Sequence, residues 1–70
     1  MVTYEDIYAK IKLSNGYVSL LKNYNAEELK VIGEMRNKNL LFPAMIRYSD
    51  TMFLSGVRIA KDNPALYAKG

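Results

Sequence analysis

An all-α fold, a small bundle of three to four helices, is what this 70-residue sequence predicts. Three features point that way. Two segments open on capping residues and continue with apolar positions at helical spacing. A third opens on a proline and sends its apolar and basic residues to opposite sides. The helices fall at about 4–14, 17–24, 26–38 and 43–61, within a single domain over residues 1–70.

Thr3 with Asp6 resembles a capping pair for the first helix, and Glu5 and Asp6 lie in the turn where the helix dipole favours acids. Lys10 and Lys12 come near its other end, and Asp6 and Lys10 are spaced for an i,i+4 pair. Tyr4, Ile7, Tyr8 and Ile11 fit the apolar template of one helix face. Ser14-Asn15-Gly16 then stops the helix. The same Asn-Gly is also the strongest short signal for a two-residue β-turn, which would pair Leu13 with Val18 and Ile11 with Leu20. An α+β fold with an N-terminal hairpin at Asn15-Gly16 is therefore the alternative.

The segment "YVSLLKNY" is read as a second, short helix. Asn25 and Glu28 make a capping box for the third, whose apolar side holds Leu29, Val31, Ile32 and Met35. Glu34 and Lys38 are spaced to pair on its polar side. Pro43 suits the first turn of the last helix, where Met45, Ser49, Met52, Phe53, Gly56 and Ala60 gather on one side. Arg47, Thr51, Leu54, Arg58 and Lys61 fall opposite, on a stripe about 20 Å long at the helical rise. A rival reading of the same residues places strands at 44–48 and 52–60 around Ser49-Asp50-Thr51.

Composition narrows function mainly by exclusion. Leu, Ile, Val and Phe make up 19 of the 70 residues, too many for a disordered chain. The sequence has no cysteine and no histidine, which removes thiolate metal sites, the usual general base and the commonest metal ligand. No phosphate-binding glycine loop, nucleophile elbow or calcium loop occurs. The expectation is a protein that is not an enzyme and carries no cofactor or metal. No apolar run approaches the roughly 18 residues of a membrane span, so no membrane partner is expected, and the lack of cysteine suits a cytoplasmic location. The Asn, Lys, Ile, Tyr and Met bias fits an AT-rich genome, and the size suits a phage or mobile-element regulator.

Charge provides the positive clue. Residues 1–34 carry four lysines against five acids, whereas residues 35–70 carry six cations against two acids, including all three arginines. Arg47, Thr51, Leu54, Arg58 and Lys61 are the candidate partner-binding residues, with Leu54 as an apolar anchor inside a basic rim. The reading is a small regulator or adaptor that binds an acidic protein surface through the basic face of its C-terminal helix. A helix-turn-helix-like DNA-binding regulator is the alternative, with nucleic acid as the target. A homodimer is a further expectation, because a chain this short builds only a small core.

Overall fold

The computed structural model describes residues 1–67, with Asn15 described by its backbone alone. The chain runs α1 (Tyr4–Lys12), β1 (Val18–Leu20), α2 (Ala26–Asn37), β2 (Leu41–Arg47) and β3 (Phe53–Ile59), with 3-10 turns at Asn15–Tyr17, Leu21–Asn23 and Pro64–Leu66. The strands form one antiparallel sheet in the order β1-β3-β2. This is an α+β fold. The all-α bundle is overturned, along with the helices expected at 17–24 and 43–61.

The two capped helices form where their caps place them. Thr3 Oγ1 accepts the Asp6 amide while the Asp6 carboxylate accepts the Thr3 amide. Asn25 and Glu28 exchange the same pair of bonds, each at 2.9 Å. Each cap satisfies amides that the first turn leaves without an intrahelical partner. The far end of α2 closes on Asn39, whose φ of 61° is left-handed. Its amide donates to the Arg36 carbonyl and that of Leu40 to the Met35 carbonyl, the paired bonds of a Schellman stop with asparagine where glycine is usual.

Asn15-Gly16 is neither a hairpin turn nor the residue pair that caps α1. The helix is capped by Leu13, and Asn15–Tyr17 then forms a 3-10 turn into β1. Gly16 and Tyr17 both have left-handed φ, 69° and 58°, so a helix cannot continue through 17. The N-terminal hairpin alternative is absent for a further reason: β1 pairs with β3, far along the chain, through Val18 to Arg58, Ser19 to Val57 and Leu20 to Gly56.

The expected C-terminal helix is a hairpin. β2 and β3 pair from Leu41–Ile59 at the base to Arg47–Phe53 at the tip, and Ser49-Asp50-Thr51 lies in the connection. The strands thus match, within a few residues, the rival reading at 44–48 and 52–60. Pro43 sits in edge strand β2, a place that tolerates a missing amide donor, instead of opening a helix. The run of apolar residues at 41–46 suits a strand that is apolar on both sides, which a single-sided helix cannot use as well.

Directly opposed residues share a face, so the register divides the sheet. Leu41, Val57 and Ile59 point inward and join Ile7, Ile11, Tyr24, Ile32 and Met35 in the core under α1 and α2. Val18, Leu20, Phe42, Ala44, Ile46, Leu54, Gly56 and Arg58 occupy the other face. None of these eight belongs to the core cluster. Both buried polar side chains among the described residues, Ser19 and Asn63, are satisfied. The Tyr24 hydroxyl donates to Ser19 Oγ at 2.9 Å, and Asn63 Nδ2 donates to the Tyr8 hydroxyl and the Leu40 carbonyl. The bond to Tyr8 pins the segment after β3 back onto α1.

Lys10 does not pair with Asp6, whose carboxylate is committed to its cap. Its ammonium reaches Glu28 at 3.1 Å and the Asn23 carbonyl at 3.0 Å, and sits 4.5 Å from the centre of the Tyr24 ring. Lys38 likewise lies over the Tyr4 ring at 5.1 Å. The Asn25 amide, with Lys10 adding to it, holds the Glu28 carboxyl below its ordinary value of 4.5. A folded value below the unfolded one gives stability that is present above 4.5 and is lost as pH falls through the folded value. Denaturant midpoints are therefore expected to drop as pH is lowered from neutrality past 4.5, and Glu28→Gln is expected to flatten that drop. An equally steep fall in the variant would remove Glu28 from the cause.

Candidate functional site

The five residues expected on one helical stripe are dispersed. Arg47 ends β2 on the inner side, with its guanidinium 3.2 Å from the Asp50 carboxylate and its Nε donating to the Ser49 carbonyl. Thr51 is exposed in the connection, and Lys61 is exposed beyond the end of β3. Only Leu54 and Arg58 stay together, because four residues along a strand return a side chain to the same face. The stripe is corrected to a pair on the open face of the sheet.

That face is the candidate site. An antiparallel sheet packed on one side usually presents polar residues on the other. Here the outward positions are Val18 and Leu20 from β1, Phe42, Ala44 and Ile46 from β2, and Leu54, Gly56 and Arg58 from β3. They form an apolar surface with one cation and no acid, on which Phe42 is exposed, Gly56 is buried under Ile46 and the other six are half-buried. The Arg58 guanidinium lies 5.2 Å from the centre of the Phe42 ring, opposite it in the register, and this stacking keeps it half-buried. Lys22 stands over the Tyr48 ring at 5.9 Å, placing a second cation near the tip.

The glycine at the centre fixes the shape. The Ile46 side chain lies across Gly56, and β1 approaches on the other side through the Ser19 carbonyl. Each would stand 2.6 Å from a Cβ at that position. The close approach makes the middle of the face flat and lets three strands present one surface.

The apolar character continues around the distal half of the hairpin. Met45 and Phe53, on the inner side near the tip, are 66% and 54% exposed because the helices do not extend that far. Reading the sequence for helices missed Val18, Leu20, Phe42, Ala44 and Ile46. The available signal was the unbroken apolar run at 41–46, which a surface helix has no reason to carry.

Comparison of the chain with protein-family models, with curated proteins and with solved structures finds no match. Among the described residues no three acidic side chains converge as a metal site would require. Among the same residues no helix is long and apolar enough to cross a membrane.

Proposed function

We propose that this chain is a small non-enzymatic regulator or adaptor that acts in the cytoplasm by protein–protein binding, docking its partner on the open face of the β1-β3-β2 sheet. The observation that supports this reading is the apolar outer face with Arg58 as its single charge. Half-buried apolar side chains gathered on one side of a sheet with no layer packed over them are unfavourable in water and are characteristic of docking sites. Arg58 at one end and Lys22 near the other call for a partner whose apolar patch is bordered by carboxylates.

Nothing favours the DNA-binding alternative. The basic helix such a motif would need over 43–61 is a hairpin, and Arg47 at its tip is paired with Asp50.

The test compares immobilised wild type with Leu54→Asp and Arg58→Glu, after denaturation has shown that both variants fold. Proteins retained by the wild type are expected to be lost from Leu54→Asp and weakened by Arg58→Glu, while the exposed α2 variant Lys30→Glu keeps them. Loss of a central anchor typically costs about 2 kcal/mol or more, a roughly thirtyfold drop in affinity. Equal retention by all four proteins would rule out the sheet face. Tight binding to random duplex DNA that weakens steeply with salt would favour the nucleic-acid reading instead.

A further inference from the structure

A second surface, on the opposite side of β2, has a different chemistry. β2 is an edge of the sheet, so one side of a seven-residue strand, about 23 Å long, lacks a strand partner. The C-terminal half of α2 runs beside it. Between them lies a crevice of about 430 Å³ lined by Gly33, Arg36, Asn37, Asn39 and the start of β2. A neighbouring crevice of about 340 Å³, lined also by Leu21, Ala44, Met45, Ser55 and Gly56, continues over β2 and β3 toward the tip. Arg36 and Pro43 line both, so the two form one groove between α2 and β2, with β3 and Leu21 bounding its distal half.

Three properties of the groove select its occupant. Neither crevice is lined by an acidic residue, and Arg36 enters no ion pair among the described residues. An unpaired guanidinium presents a fork of donors that matches a carboxylate. Gly33 leaves the helix wall bare, with nothing within 4 Å of where a Cβ would stand, so a chain can approach the helix closely there. The β2 edge presents backbone groups spaced for an added strand. Pro43 has no amide to donate, so an added strand bonds to β2 on either side of it.

We propose that this groove is a second binding site, centred on Arg36 and the helix side of β2 and meeting the open sheet face only at Phe42, Ala44 and Gly56, and that it takes an extended acidic segment of a partner protein, laid along β2 with a carboxylate on Arg36. The segment gains main-chain hydrogen bonds from the strand edge and its charge selectivity from Arg36. With the open face engaged separately, the chain has two docking surfaces on one small sheet, the arrangement an adaptor needs.

The test uses a fluorescein-labelled octapeptide of alternating Glu and Val, with an alternating Lys and Val octapeptide as control, followed by anisotropy at low salt and by amide shifts of the labelled protein. The acidic peptide is expected to bind and the basic one not. Shift changes should concentrate at residues 33–45. Arg36→Glu is expected to weaken binding at least about tenfold, as loss of a charge-assisted contact does. Gly33→Leu, which fills the groove without altering charge, should weaken it comparably. Lys30→Glu makes the same change in net charge elsewhere on α2, and should leave affinity within about twofold, as expected for a screened charge outside the contact. Equal losses in Lys30→Glu and Arg36→Glu would reduce the effect to general electrostatics and overturn the site. So would absence of binding, or shifts confined to the open face. Leu54→Asp should leave peptide binding unchanged, so failure here and failure of the sheet-face reading are separately visible.

Discussion

Gly56→Ala is expected to destabilise the protein by about 3 kcal/mol, the upper part of the range for forcing a methyl into a filled site. The new Cβ would stand 2.6 Å from two atoms of different compliance. Ile46 Cδ1 is the end of a flexible side chain and can rotate away. The Ser19 carbonyl is backbone, and moving it means pulling β1 from β3 at the centre of the sheet. β1 has only three residues, so it has little pairing in reserve. Its displacement would also disturb the hydrogen bond from Tyr24 to Ser19.

Urea denaturation measures the loss, and hydrogen exchange at Val18–Leu20 should show β1 opening first. Gly33→Ala is the matched control. It lies inside α2 with open space at its Cβ, and alanine there is expected to stabilise by about 0.5–1 kcal/mol through helix propensity. If Gly56→Ala stayed within about 0.5 kcal/mol of wild type, the value typical of an inert surface change, the tight seam between β1 and β3 would be refuted.

Ile11→Ala is expected to cost about 3–4 kcal/mol, within the range seen for truncating a fully buried aliphatic side chain. Ile11 is 0% exposed in the last turn of α1 and packs in the cluster with Ile7, Tyr24, Met35 and Val57. Much of the stability of a 70-residue domain is at stake, since domains of this size hold about 4–10 kcal/mol in total. Leu13, two residues on, is 89% exposed, and Leu13→Ala should change stability by less than about 0.5 kcal/mol. A hairpin through Asn15-Gly16 would have placed Ile11 and Leu13 on one inward face, with similar costs for both. Equal midpoints for the two variants would revive that pairing.

The helices were legible because their signals are local. Thr3 with Asp6 and Asn25 with Glu28 act within one turn, and nothing distant competes for them. The i,i+4 pairs were less legible. Asp6 and Lys10 are correctly spaced, yet a lysine on a flexible stem goes where an acid and a carbonyl converge, and Glu28 with Asn23 provide both. The local pattern ranked partners by distance along the helix, while the fold offered a better one 18 residues away.

Residues 43–61 show the limit from the other direction. Met45, Phe53 and Gly56 can be laid on one side of a helix and Arg47, Leu54 and Arg58 on the other, and nothing within the segment forbids it. A proline at 43 is equally at home in a first helical turn and on a sheet edge. The choice depended on what α1 and α2 needed to cover. Their buried residues, Ile7, Ile11, Ile32 and Met35, pack against Leu41, Val57 and Ile59, which alternation along two strands delivers to one surface. Leu54 and Arg58 survived as a pair because a spacing of four returns to the same side of a strand. Arg47 is on the other strand and pairs with Phe53, which puts it on the opposite face.

By itself the sequence determined the two capped helices, the concentration of charge in the second half, and a chemistry lacking histidine and cysteine. Each is a property of residue type or of contacts within one turn. Only the tertiary structure decided that β1 pairs with β3, that the C-terminal third is a hairpin, and that its outer face remains uncovered. Strand pairing joins residues some 40 positions apart, and its free energy belongs to neither segment alone. The open face exists because both helices pack on the same side of the sheet, leaving Leu54 and Arg58 on a surface that no local pattern could have marked as free.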